Sequence, residues 1–284
     1  MNIEAICLDM DGTILDAQNK VSDETINLLT TLRNKGMKIF IATGRTRLEV
    51  ADVLPKGFEY DGLVTANGMG CIARGRKIAQ HALPSELVME VVELARKSNI
   101  YYEVHPLEEK RYALVTDKEY MTFEVMGEKP MTLHDNEYNA RVNAVRDHIR
   151  WVEHIHADDI VKIYFFSMCQ RKIDDWKKTL ENLQKRHDFN ISTSSIHNCE
   201  ISVKGVSKAT GIELLLEEFN ISRNHILAVG DAGNDIPMFE LAGHSCAMKN
   251  AEDDVKKFAD EVTKYSYNEN GLYHYLKNKF ANIL

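Results

Sequence analysis

The chain is 284 residues long, which at roughly 150 residues per domain reads as two domains rather than one. A hydrophobic share of 44% and a charged share of 27% are those of a globular protein and exclude disorder as the overall state. With 43 acidic against 35 Lys and Arg side chains the formal net charge is −8, and no dense basic block is present, so nucleic acid and anionic membrane surfaces are not expected partners.

No apolar run approaches the ~20 residues of a membrane helix. Glu4, Asp9 and Asp11 spoil a signal-peptide reading of the first residues. Cys7, Cys71, Cys169, Cys199 and Cys246 are odd in number and form no CxxC pair, the pattern of reduced thiols in a cytoplasmic protein.

Ile3 to Leu8 is a short apolar run of strand formers ending in the acidic turn Asp9-Met10-Asp11-Gly12-Thr13. Residues 23–34 place Ile26, Leu29 and Leu32 at near-helical spacing and close on Lys35-Gly36, a basic last turn with a Gly stop. Lys38 to Ala42 reads as a second buried strand, followed by Thr43-Gly44-Arg45 and a helix through Val53. Gly62 to Thr65 is a third strand, ending at Asn67-Gly68. Short apolar strands alternating with helices indicate an α/β, doubly wound parallel sheet of Rossmann-like type, whose ligand crevice lies at the carboxyl ends of the strands. The turns just named all sit at those ends.

From about residue 83 to 202 the pattern changes. Pro84-Ser85 opens a helix to about Arg96, and Tyr101 to Val104 with Tyr112 to Val115 read as a hairpin. Residues 117–157 are polar and helix-prone, Val161 to Met168 is a strong strand, residues 174–186 a helix, and residues 191–195 and 199–203 a further strand pair. Paired strands with separate helices point to an α+β module with an antiparallel sheet. The division that follows is a core of residues 1–82 and 203–284 interrupted by an insertion of residues 83–202. In the returning core Ser207 N-caps a helix ending near Phe219, Ile226 to Val229 is a strand before Gly230-Asp231-Ala232-Gly233-Asn234-Asp235, and Ile236 to Ala242 is a short helix with Pro237 in its first turn. Residues 244–248 and 260–263 are short strands.

Asp9 and Asp11 lie two apart just past a buried strand, where alternation aims both carboxylates the same way. An Asp- and Gly-rich turn explains this as a plain turn. It also suits phosphoryl transfer, in which one carboxylate attacks phosphorus and the other handles the leaving-group proton. Gly12 lets backbone approach a phosphate closely, and its N–H and that of Thr13 can donate to phosphate oxygens. Charge must then be neutralised, and a hard cation such as Mg²⁺ fits carboxylate oxygens. Asp231 and Asp235, with Asn234 between, supply such carboxylates after another strand, although alone they read equally as acids capping a helix. Lys208, following the N-cap Ser207, is the favoured cation, with Lys204 its competitor. Thr43 offers a hydroxyl to phosphate and is also a natural helix cap.

Asp9-Met10-Asp11-Gly12-Thr13, Thr43-Gly44-Arg45, Lys208 and Gly230-Asp231-x-x-Asn234-Asp235 resemble, in order and spacing along nearly the whole chain, motifs I to IV of the haloacid dehalogenase (HAD) superfamily. The insertion after the third strand, with Asn67-Gly68 before it and Ala247-Met248-x-Asn250-Ala251 late in the chain, resembles the Cof-type branch with its type IIB cap. Ala209 and Lys249 stand where relatives often carry Gly. The resemblance implies a HAD core with an inserted cap, and a Mg²⁺-dependent phosphatase of small phosphorylated metabolites acting through an aspartyl-phosphate. It implies Asp9 as nucleophile and metal ligand, and Asp11 as general acid/base and metal ligand through its carbonyl. Gly12, Thr43, Gly44, Lys208 and Asn234 become phosphate contacts, Asp231 a metal ligand, and Asp235 a ligand directly or through water. Arg45 and Asn67 are candidate substrate contacts, with His105 and His134 behind Arg45. Hexose or pentose phosphates are the broadest substrate class; relatives also act on a phosphorylated riboflavin precursor and on pyridoxal phosphate.

A phosphomutase is the nearest alternative enzyme. A receiver-type phospho-aspartyl signalling module also uses an Asp acceptor, acidic metal cluster, Thr and Lys, but the motif order and the ~120-residue insertion argue against it. The Tyr101, Tyr102 and Tyr112 cluster is expected to pack in the sheet, and His154 and His156 to lie at the surface.

Overall fold

In a computed structural model, residues 3–133, 135–193 and 195–284 are described. In chain order, β1 (Ala5–Leu8), α1 (Asp23–Asn34), β2 (Lys38–Ala42), α2 (Arg47–Val53) and β3 (Gly62–Thr65) alternate before the hairpin β4 (Gly70–Ala73) and β5 (Arg76–Gln80). Then come α3 (Ser85–Lys97), β6 (Tyr101–Pro106), β7 (Tyr112–Leu114), α4 (Lys118–Met126), α5 (Asp135–Asn143) and β8 (Arg150–Val152). They are followed by β9 (Ile160–Phe166), α6 (Gln170–Leu183), β10 (Phe189–Ser192) and β11 (Asn198–Val203). Last are α7 (Lys208–Phe219), β12 (Ile226–Gly230), α8 (Ile236–Leu241), β13 (His244–Ala247), α9 (Asp253–Lys256), β14 (Glu261–Val262) and α10 (Gly271–Lys279). Two compact units result, Met1–Gln80 with Val206–Leu284, and His81–Gly205.

The first unit is built on an eight-stranded sheet in the order β14-β13-β12-β1-β2-β3-β4-β5. Every pair from β14 to β3 is parallel. β1 and β2 are apolar on both faces because both are covered. Ile6, Leu8, Ile39 and Ile41 pack with Leu29 and Leu32 of α1 and Leu272 and Leu276 of α10. Ala5, Cys7, Phe40 and Ala42 pack with Ile212 and Leu215 of α7 and Met238 and Phe239 of α8. The β3–β4 and β4–β5 pairs are antiparallel, so the parallel sheet expected from the sequence carries an unforeseen antiparallel edge. Its hairpin turns on Arg74 and Gly75, both at positive φ. An Arg in the first of those positions lacks the Asn-Gly or Asp-Gly signature by which such a turn is recognised.

The second unit is a six-stranded sheet in the order β10-β11-β9-β6-β7-β8. It is antiparallel except for the β7–β8 pair, which is parallel and corrects the expectation of a wholly antiparallel sheet. Three residues of β8 are too few to print a strand pattern within the helix-prone stretch. Tyr101, Tyr102 and Tyr112 are buried in this sheet's core. Fully buried Glu103 of β6 lies among Arg111, Arg141 and His105. His154 and His156 are exposed, and His134 lies outside the described residues. All five cysteines are free, and no helix among the described residues is long and apolar enough to cross a membrane.

Candidate active site

Strand order builds the site. β1 is flanked by β12 on one side and β2 on the other, all parallel, so chain leaves the sheet at Asp9, Thr43 and Asp231 on one edge. The connections run in opposite directions from β1, which is where open α/β sheets form a ligand crevice. Lys208 arrives from α7, whose first turn is fixed by reciprocal bonds between Ser207 and Thr210.

At the centre, the Lys208 ammonium donates to Asp9 Oδ1 and, at 2.6 Å, to Asp235 Oδ1. Lys208 and Asp235 are fully buried and Asp9 is 5% exposed. The other Asp235 oxygen accepts the N–H groups of Asp231 (2.8 Å) and Ala232 (3.0 Å), so this carboxylate also ties down the loop after β12. Lys204 is exposed and pairs with Asp188 at 2.8 Å.

The buried Lys208 ammonium faces the carboxylates of Asp9, Asp231 and Asp235. Burial pushes the Asp9 carboxyl well above the usual range; Lys208 opposes this, while Asp235 and Asp231 add to it. Asp231 is pushed up to about 7 by burial and by Asp235, against the pull of Lys208. Burial works against the Lys208 ammonium, but Asp235 and Asp9 overcome it and raise its pKa. A carboxylate oxygen from each of Asp9, Asp231 and Asp235 lies within 4.8 Å of the others. Asp231 Oδ1 is buried without a hydrogen-bond partner. An all-oxygen donor set with one orphaned carboxylate oxygen and excess negative charge fits a hard divalent cation.

Around this centre Gly12 has φ +74°, and a Cβ there would collide with the Asp231 carboxylate, so only glycine brings the two loops this close. The Thr13 N–H donates to the Met10 carbonyl at 3.3 Å and is thus engaged within the turn instead of being free for phosphate. Thr43 is fully buried, its hydroxyl accepting the Arg45 N–H at 3.1 Å. Asp11 is more than half exposed, and Arg45 grips it with Nε to Oδ2 at 2.8 Å and Nη2 to Oδ1 at 2.5 Å. Asn67, at φ 56°, accepts from Asn234 Nδ2 at 3.0 Å, and a Cβ on Gly44 would meet the Asn67 amide at 3.3 Å. His105 lies in the second unit, 3.1 Å from Glu103.

Asn250 was not among the site residues read from the sequence. Its Nδ2 donates to the Gly12 carbonyl (2.9 Å) and Asp231 Oδ2 (3.0 Å), and its Oδ1 accepts the Tyr267 N–H. An Asn in a loop after β13 carries no chemical signature of its own. Its place in the Ala247-Met248-x-Asn250-Ala251 segment was the available signal.

A family model described as haloacid dehalogenase-like hydrolase matches residues 6–276. The chain belongs to the haloacid dehalogenase-like hydrolases. Phosphatase YwpJ of Bacillus subtilis is 27% identical, with 97% of this chain and 99% of the relative covered. The 5-amino-6-(5-phospho-D-ribitylamino)uracil phosphatase YcsE of the same organism is 26% identical over 93% and 90%. Among solved structures, a haloacid dehalogenase-like hydrolase from B. subtilis superposes with a TM-score of 0.79 at 26% identity, covering 97% and 99% of the two chains. BT1666 of Bacteroides thetaiotaomicron, described among phosphatases of the superfamily, gives 0.73 at 28% identity over 98% and 95%. The Cof-type HAD phosphatase expected from the motifs is borne out, as is the α/β core with its inserted cap.

Proposed function

We propose that this chain is a Mg²⁺-dependent phosphomonoester hydrolase that passes through an aspartyl-phosphate on Asp9. The observation that carries the reading is the buried Lys208 ammonium seated between Asp9 and Asp235, with Asp231 completing an oxygen cluster beside it. Asp9 and Asp231 would hold the cation with the Asp11 carbonyl, and Asp235 directly or through water, and the chemistry it would supply is neutralisation of charge between the nucleophile and a phosphate dianion. Lys208 orients the Asp9 carboxylate and provides positive charge where negative charge builds on the phosphoryl oxygens. The backbone at Gly12, the Thr43 hydroxyl with Gly44, and Asn234 make the remaining phosphate cradle.

In the first half-reaction an Asp9 carboxylate oxygen forms a bond to phosphorus while the ester P–O bond breaks, and a proton from Asp11 goes to the departing alkoxide. In the second, Asp11 takes a proton from water as its oxygen attacks the acyl phosphate, releasing inorganic phosphate and restoring Asp9. The Arg45 fork engages both Asp11 oxygens, so proton transfer by Asp11 requires that fork to loosen. Asn67, bonded to Asn234, would stand near the leaving group with Arg45.

The substrate class is a small phosphorylated metabolite, a sugar phosphate or a ribityl phosphate of the kind named for YcsE, chosen by the inserted unit spanning about residues 83–202. Asp9→Asn is the direct test. An amide cannot form the acyl phosphate, so p-nitrophenyl phosphate turnover should fall to background in a variant with an unchanged circular dichroism spectrum. Wild-type turnover by that variant removes Asp9 from the mechanism.

A further inference from the structure

A second polar cavity, of about 130 Å³, lies in the first unit and is lined by residues the proposed chemistry does not use. Two helices begin on it: α1 at its N-cap Ser22 and Thr25, and α10 at Asn270 and Leu272. Both exceed two turns, and helix N-termini offer unpaired N–H groups and the positive end of the dipole. Lys20, which makes no ion pair among the described residues, and Asn268 line it as well. The Asn268 and Asn270 carbonyl oxygens are spent on the Ala17 N–H and on the Ser22 and Thr25 hydroxyls, which leaves their amide N–H groups as donors. Asp16 is the one acidic lining group; its Oδ1 already accepts the Gln18 and Lys20 N–H groups.

An independent observation marks the cavity as built for a ligand. Thr13 lines it, is 2% exposed, and its hydroxyl has no hydrogen-bond partner. Buried hydroxyls are ordinarily paired. Thr13 also closes the Asp9–Thr13 turn, so whatever binds here touches the loop that carries the nucleophile.

We propose that this cavity is a second site for a phosphoryl anion, distinct from the catalytic crevice and coupled to the catalytic turn through Thr13. Asp16 and Lys20 cancel in formal charge, and the helix ends and amide donors tip the site toward an anion small enough to be tetrahedral phosphate. The occupant is free phosphate or the phosphate of an ester. Feedback by released phosphate is the regulatory sense of the site and rests on the hydrolase reading; binding itself does not.

The test is isothermal titration of inorganic phosphate into the full chain. Two phosphates should bind per wild-type chain, one of them about fivefold more weakly in Lys20→Met. In a Lys208→Met background, where the catalytic cradle is lost, the residual affinity should drop about fivefold with Lys20→Met and rise about threefold with Asp16→Asn. Titration with glucose 6-phosphate in place of phosphate separates the two sources, and binding of either supports the site. Acetate binding as tightly as phosphate overturns the phosphoryl assignment. A single phosphate per wild-type chain, or residual binding unmoved by both charge changes, overturns the site. Hydrolysis of p-nitrophenyl phosphate is followed in parallel: if Lys20→Met keeps turnover while binding the second phosphate more weakly, the two sites are separate, and if turnover is absent in wild type it is the hydrolase reading that fails.

Discussion

Replacing Lys208 by Met removes the buried ammonium from among the Asp9, Asp231 and Asp235 carboxylates at nearly constant volume. The lysine side chain is fully buried between the Asp9 and Asp235 carboxylates, themselves 7% and 0% exposed. Breaking a buried pair by deleting one partner costs about 3–5 kcal/mol, chiefly because the remaining charge is left uncompensated. The carboxylates can limit that cost by taking up protons, each unit of pKa shift corresponding to about 1.4 kcal/mol.

The sign follows from where the pKa values already lie. Asp9 and Asp231 are raised by burial with Lys208 present, and its loss removes the largest lowering influence on Asp9. A folded state that binds more protons than the unfolded chain loses stability as pH rises between the unfolded value, about 4, and the raised folded one. In metal-free buffer Lys208→Met should therefore be about 3 kcal/mol less stable than wild type at pH 8 and closer to it at pH 5. Urea unfolding of the first unit at both pH values measures this. Turnover of p-nitrophenyl phosphate should fall at least about a hundredfold, while Lys204→Met, on the surface pair with Asp188, keeps its rate. Equal stability of Lys208→Met and wild type at pH 8, or a larger rate loss in Lys204→Met, refutes the reasoning.

Excess chelator should abolish hydrolysis, and Mg²⁺ should restore it and raise the wild-type melting temperature; the rise should largely vanish in Asp231→Asn, and full activity in chelator would contradict the metal assignment. Asn250→Ala deletes the amide that joins Gly12 to Asp231, so Mg²⁺ affinity read by thermal shift should weaken about 10–100-fold; unchanged affinity would reduce Asn250 to loop packing. In the second unit burial alone would raise the Glu103 carboxyl, but Arg141, Arg111 and His105 hold it well below the usual range. Its contribution is present above the unfolded value of about 4.3 and lost as pH falls from there toward the lowered folded one. Glu103→Gln should cost about 3 kcal/mol at pH 7 and flatten the acid limb of unfolding; an unchanged limb would assign acid sensitivity to other groups.

The core was legible because its strands are buried on both faces and print continuous apolar runs, and because each run ends in Asp, Thr or Gly where a helix or ligand must begin. Residues whose chemistry is intrinsic, such as paired carboxylates and a lysine beside an N-cap, could be picked from one sequence. Residues that act through position could not: Asn250 is an amide in a loop, and its role exists only because β13 lies beside β12, which brings the loop after it to Gly12 and Asp231. The β4–β5 hairpin escaped for a related reason, since its turn uses Arg74 where the local code favours Asn or Asp.

Glu103 shows the limit most sharply. In the sequence it stands between Tyr102 and Val104 in a strand whose only other polar member is His105, a place where an acid reads as the exposed member of an alternating pattern. It is instead fully buried, because Arg111 pairs with it from the far end of the β6–β7 connection and Arg141 from α5, the latter in the helix-prone stretch that the sequence pattern leaves undefined. A buried carboxylate requires partners, so the alternation rule fails where long-range pairing supplies them. Arg141 also lies over the Tyr164 ring, 4.4 Å from its centroid, which ties α5 to β9 through the same charge. Substituting Arg141 alone should therefore loosen α5 as well as destabilise Glu103, a coupling that double-mutant cycles of Arg141 with Tyr164→Leu, which removes the ring, and with Glu103→Gln would resolve into its stacking and electrostatic parts.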